Sequence, residues 1–206
     1  MLTTRYKSLL DNLLQPLAAA IARAGVSPTA LTLAGPVLTF VACLWFVKTA
    51  AILPFCVVIA LVGSLDILDG PVARVSGRVT KFGAYLDAVC DRYVDAMVVG
   101  AAAVVTGYWT LSLITLAGTL LVSYAKARAA MEVPVSNLEW PDLMERAERS
   151  ALFLLGLAGS ELLSWQPLGR DLFWWTLLLL AILTHLTVLQ RILRARRKIE
   201  ASPLPS

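Results

Sequence analysis

Histidine occurs once, as His185, and cysteine three times, as Cys43, Cys56 and Cys90, with no metal-type spacing among them. A centre built on thiolate or imidazole has no support, and these side chains read as packing residues inside apolar segments. Charge is missing over long distances: residues 24–47, 49–65, 96–125 and 172–190 contain no Asp, Glu, Lys or Arg. Internal repeats and low-complexity tracts are lacking, and nothing at the N-terminus resembles a cleaved signal. No soluble basic face with groove-reading or aromatic elements is visible, which argues against nucleic acid as a partner.

What remains is strongly apolar. Hydrophobic residues make up 58% of the 206, where roughly 45–50% is usual for a soluble domain. A spanning helix needs about 20 mostly apolar residues, so residues 24–47, 49–65 and 172–190 each suit one span. The run 96–125, joined to the aspartate-bearing segment before it, reads as two helices around a tight turn at Gly107, Tyr108 and Trp109. A further apolar run from Ala151 to Trp165 completes six. The expected fold is an all-α integral membrane protein, one domain over 1–206, with six transmembrane helices at about 29–195. Residues 5–23 place Leu10, Leu13, Leu14, Leu17 and Ile21 at helical spacing opposite Arg5, Lys7 and Asp11, which predicts an amphipathic juxtamembrane helix. Ser27 and Pro28 suit the cap and first turn of the next helix. Residues 196–206, basic and then rich in Ser and Pro, read as a frayed tail.

In this topology 16 of the 18 basic residues share one side, leaving only Lys48 and Arg170 opposite. The positive-inside rule makes the rich side cytoplasmic, carrying both termini and the N-terminal helix, in a plasma membrane. The net charge of +4 then reflects topology and some affinity for anionic lipid heads.

Against this background five aspartates fall within thirty residues: Asp66, Asp69, Asp87, Asp91 and Asp95. A carboxylate at membrane depth costs roughly 2.5–3.5 kcal/mol on insertion scales, so such residues normally face a polar interior and carry function. Asp66 and Asp69 are three apart and Asp87 and Asp91 four apart, so each pair is expected on one helix face. Facing helices would gather the four into a hard-oxygen cage suited to Mg²⁺ or Mn²⁺, with room for two ions. Gly70 and Gly83 remove side chains where a ligand can approach, Ala73 keeps the surface low, and Arg74 supplies a planar cation matching phosphate oxygens. The pattern points to a pyrophosphate-handling site at the membrane surface. The bland alternative is that the aspartates only pair with Arg74, Arg78, Lys81 and Arg92 to hold the helices together, and Asp95 in particular can serve as such a partner.

The run Asp66-x-x-Asp69-Gly70-x-x-Ala73-Arg74, eight residues, then Gly83-x-x-x-Asp87-x-x-x-Asp91 resembles the signature of the CDP-alcohol phosphotransferase family at every fixed position. The resemblance implies a membrane enzyme that displaces CMP from a CDP-linked lipid with a small polar alcohol, usually as a homodimer. It implies that Asp66, Asp69, Asp87 and Asp91 hold two divalent cations, that Asp91 is also the general base, and that Gly70, Ala73, Arg74 and Thr80 contact the cytidine diphosphate.

The acceptor is a separate question. Lys126, Arg128, Arg146 and Arg191 flank spans on the same side, and together they form a candidate pocket for an acceptor phosphate. The positive-inside rule alone also explains cations there. Ser123-Tyr124-x-Lys126-x-Arg128, followed by Glu145-Arg146-x-Glu148-Arg149, resembles the branch that makes phosphatidylinositol phosphate or archaetidylinositol phosphate from inositol phosphate. The insert Val135 to Asp142 is longer and more acidic than that branch leads one to expect. A phosphatidylglycerophosphate synthase or another acceptor is the alternative within the family, and a non-catalytic cation transporter the alternative outside it. A transporter would tend to place its carboxylates near midplane or on broken helices.

Overall fold

A computed structural model describes residues 14–133 and 143–201. Among the described residues every regular element is helical. Contacts divide the chain into two units, Leu2–Gly107 and Tyr108–Ser206.

In the first unit residues 14–23 are helical (α1), and residues 5–13 of the expected amphipathic helix lie outside the described residues. Helix α2, Pro28–Thr49, begins as its sequence dictates: the Ser27 hydroxyl accepts from the Ala30 N–H at 3.1 Å, and Pro28 occupies the first position, where no N–H is needed. Helix α3, Ile52–Asp66, packs on α2 through stacked Phe46 and Phe55 rings, 4.0 Å between centroids. A short helix α4, Asp69–Val75, follows, and α5 covers Lys81–Thr106. Helix α2 also packs against α4 and α5, so it is the common wall of this unit.

The expectation that Asp66 and Asp69 share one continuous helix needs amending. Helix α3 stops at Asp66, the chain tightens through Ile67 and Leu68, with the Leu68 N–H bonding Leu65 O at 3.0 Å, and α4 restarts at Asp69. Pro71 is the cause. It has no N–H to donate to the carbonyl four residues back and its ring crowds that position. The first turn of a new helix is where a proline costs least, and there Pro71 sits, whereas Pro36 is carried inside the longer α2.

Helix α5 is capped by Thr80, whose hydroxyl accepts from the Gly83 N–H at 2.9 Å. A Cβ on Gly83 would lie only 3.0 Å from that hydroxyl, so this glycine accommodates the cap. At the far end Gly107 adopts φ 75° and closes the helix, as its position between two apolar runs predicts.

In the second unit α6, Trp109–Glu132, and α7, Arg146–Leu162, both pack on α8, Leu172–Glu200. Glycines make the approach close: a Cβ at Gly156 would fall 2.3 Å from Thr176 Oγ1. His185 Nδ1 lies 2.9 Å from the Ala181 carbonyl one turn back on α8, and the residue itself is exposed. The three cysteines are free and buried. Asp171 caps α8 and accepts the Tyr108 hydroxyl at 2.9 Å. Burial, then the hydrogen bond to Asp171, push the Tyr108 pKa up. Helix α8 continues to Glu200, past the boundary expected at 195, with Arg196 bonded to Glu200 at 2.8 Å across one turn. The tail beyond 201 and the acidic insert lie outside the described residues.

Among the described residues four stretches are long and apolar enough to cross a membrane: Pro28–Thr49, Ile52–Val75, Trp109–Glu132 and Leu172–Glu200. Helix α5 has the length but carries Lys81, Asp87, Asp91, Arg92 and Asp95, and α7 is 17 residues long with Arg146, Glu148 and Arg149 in its first turn.

Candidate metal and phosphate site

The break between α3 and α4 shapes the site. Asp66 ends one helix, Asp69 starts the next, and Asp87 lies two turns into α5. Carboxylate oxygens of these three lie within 4.8 Å of one another, and all three residues are half-buried. Full charges at such spacing repel by about 3–4 kcal/mol per pair at an effective dielectric of ~20. Hard oxygens held this way fit a divalent cation of the Mg²⁺ or Mn²⁺ type, which removes the repulsion. Asp91, one turn further along α5, stands outside this set of mutually close atoms; its carboxylate lies 3.6 Å from the Arg92 guanidinium. Asp95 meets the same guanidinium at 3.3 Å, an ion pair within α5.

Around the three carboxylates, the other residues of the motif divide by role. Arg74 folds back over Gly70: a Cβ there would sit 3.5 Å from Arg74 Nη1, and so the two form one surface beside Asp69. Thr80 is engaged as the α5 cap. Helix α2 contributes two residues that no sequence pattern singles out. The Thr32 hydroxyl lies 2.7 Å from Asp69 Oδ2, and Gly35, one turn on, lies against Asp66, where a Cβ would stand 3.4 Å from Oδ1. The signal in sequence was slight, a threonine and a glycine three apart in a charge-free stretch.

The proposed acceptor cations all lie in the second unit. Arg128 and Arg191 line a cavity of about 600 Å³ between α6 and α8, together with Tyr124, Glu132, Arg196 and apolar side chains, whereas Lys126 and Arg146 do not line it. Arg128 pairs with Glu132 at 2.6 Å. Arg191 is buried, 5% exposed, and donates to the Val122 carbonyl of α6. Arg149, absent from the expected set, is also buried, at 7%, and donates to the Met144 carbonyl at 3.0 Å. Its spacing of three from Arg146 was the available clue. Glu145 and Glu148 form a reciprocal capping box that starts α7, with the Glu145 N–H bonded to Glu148 at 2.9 Å.

Comparison with known proteins gives a family and several relatives. The profile of the CDP-alcohol phosphatidyltransferase family matches residues 25–186. The archaetidylinositol phosphate synthase of Pyrococcus horikoshii is 32% identical over 181 residues, 87% of this chain and 89% of that protein. The phosphatidylinositol phosphate synthase of Mycobacteroides abscessus is 35% identical over 186 residues, 85% of this chain and 80% of that protein. Among solved structures, Mycobacterium tuberculosis phosphatidylinositol phosphate synthase with CDP-DAG bound superposes with a TM-score of 0.77 at 28% identity, over 94% of this chain and 96% of that one. The same enzyme in complex with manganese and citrate gives a TM-score of 0.79 at 26% identity, over 93% of each chain.

Proposed function

The chain belongs to the CDP-alcohol phosphatidyltransferase family, and from that membership we propose that it transfers a phosphatidyl-type group from a CDP-linked lipid to inositol phosphate, releasing CMP. It is a metal-dependent transferase of phospholipid synthesis. The observation that carries the chemistry is the convergence of Asp66, Asp69 and Asp87 within 4.8 Å. The acceptor is supported by relatives named for inositol phosphate products.

In this reading Asp66, Asp69, Asp87 and Asp91 hold two divalent cations, Mg²⁺ or Mn²⁺. Bound there, such cations supply positive charge to the diphosphate and to departing CMP. Gly70, Ala73 and Arg74 cradle the diphosphate, with Thr80 at the edge, and the Arg74 fork matches phosphate oxygens. Asp91 accepts the proton of the acceptor hydroxyl as its oxygen bonds the β-phosphorus and the bond to CMP breaks. Lys126, Arg128, Arg146 and Arg191, joined by Arg149, bind the acceptor phosphate. For the membrane setting, α5 and α7 join the four apolar stretches as spans five and six in number. Helix α1 lies on the cytoplasmic surface, with both termini and the site on that side of the plasma membrane. The protein works as a homodimer.

The test is CMP release by the purified chain in lipid with Mn²⁺ or Mg²⁺ and CDP-diacylglycerol, against inositol phosphate, inositol, glycerol phosphate and serine. Turnover confined to inositol phosphate is expected. Lys126→Met should then raise the KM for inositol phosphate about 10–100-fold, the worth of a hydrogen bond to a charged group, and leave the KM for the lipid unchanged. Turnover with glycerol phosphate instead would discard the acceptor assignment and retain the metal site.

A further inference from the structure

We propose that Thr32 is a positioning residue for the metal site, holding the Asp69 carboxylate in the orientation in which it meets a divalent cation. The inference rests on the reading of Asp66, Asp69 and Asp87 as metal ligands.

Thr32 is 4% exposed, and its hydroxyl stands 2.7 Å from Asp69 Oδ2 and 3.1 Å from the Pro28 carbonyl, four residues back on its own helix. A hydroxyl carries one proton and serves one acceptor at a time. The carboxylate is charged and closer, and its 2.7 Å separation is the length of a charge-assisted O–H···O⁻ bond. The proton therefore points across to α4, away from the back-bond that a threonine in a helix ordinarily makes. One lone pair on Oδ2 is taken, the carboxylate plane is fixed, and Oδ1 is left to a cation.

The placement cannot be a by-product of capping. Asp69 is the first residue of α4, and its contact with Thr32 spans 37 positions of sequence. Helix α2 holds none of the aspartates and has no charged residue before Lys48. Yet Thr32 and Gly35, three apart and both buried, turn one face toward Asp69 and Asp66 respectively. The helix offers one donor to the first carboxylate and bare backbone to the second. That combination orients ligands without adding charge or bulk. Outer-shell hydrogen bonds of this kind typically contribute 10–100-fold in metal affinity.

The experiment is Mn²⁺ binding to the full chain in lipid nanodiscs, followed by loss of the free-ion magnetic resonance signal. Wild type is compared with Thr32→Val, which keeps the shape and removes the donor, and Thr32→Ser, which keeps the donor. Thermal unfolding in excess Mg²⁺ is measured on each. The expected result is a 10–100-fold weaker Mn²⁺ affinity for Thr32→Val, near-wild-type affinity for Thr32→Ser, and little change in unfolding temperature at saturating metal. The Mn²⁺ concentration that half-activates CMP release should shift in parallel, with turnover recovering at high Mn²⁺. Equal affinity in wild type and Thr32→Val, or equal weakening by Val and Ser, would overturn the role of the hydroxyl. A wild-type chain that binds no Mn²⁺ would instead remove the metal-site reading on which it depends.

Discussion

Asp91→Asn is expected to reduce CMP release by about 10²–10⁴-fold, the usual contribution of a general base, while the chain stays folded. The amide keeps the size of the side chain and cannot take a proton. The interesting part is the companion measurement of metal affinity. Asp66, Asp69 and Asp87 form the close group of carboxylates, and Asp91 stands one turn beyond them on α5. As a ligand outside the close group and also the base, Asp91 should cost less Mn²⁺ binding than turnover when it becomes an amide. Asp87→Asn removes a member of the close group and should lose both binding and turnover. A strong loss of Mn²⁺ binding in Asp91→Asn would make it a full ligand, with the cage closing around the ion. Unchanged turnover would end the enzyme assignment of these residues.

Gly118→Val is expected to cripple folding of the second unit, by more than the ~1–3 kcal/mol typical of an overpacked core. A Cβ at Gly118 would lie 2.2 Å from Thr184 Oγ1 and 2.8 Å from His185 Nδ1. Thr184 cannot simply swing aside: it is fully buried, and its hydroxyl bonds the Leu180 carbonyl at 2.8 Å. His185 is tied to Ala181 in the same way. Close approach through small residues is how helices associate where lipid offers no hydrophobic drive, so even the methyl of Gly118→Ala should lower the unfolding temperature in detergent. A Val variant that melts with wild type would mean that α6 and α8 are not packed as described. Gly100, around which a Cβ meets nothing within 4 Å, is the matched control and should tolerate alanine.

These two predictions draw on different depths of legibility. The helices announced themselves through charge-free stretches, and their ends through local chemistry: Ser27 before Pro28, and Gly107 between two apolar runs. The motif aspartates were legible because charge is so costly in such a chain. Helical spacing alone did not show that Asp66 and Asp69 fall on two helices, with Pro71 in the first turn of the second. Contacts between distant positions left almost no trace. Nothing in sequence ties Thr32 to Asp69, or Arg191 to the Val122 carbonyl, because each bond depends on how two helices rotate against each other. The glutamates of α7 show the same limit in miniature: pairing with a neighbouring cation and capping the helix are both allowed by spacing, and the backbone took them.

The interruption after Asp66 has a thermodynamic consequence. A helix end carries about half a negative charge, and a helix start about half a positive one. The break therefore sets the α3 terminus against the Asp66 carboxylate while the α4 start favours Asp69. Without a cation, the folded state bears that mismatch together with the repulsion among three acids. Metal and folding are thus linked equilibria: an ion that binds only the folded chain adds about 2.7 kcal/mol of stability at one hundred times its dissociation constant. The melting temperature should climb with the logarithm of free Mn²⁺ and fall on chelation, before any substrate is present. In a cell short of divalent ions, the protein's abundance would then decline along with its activity.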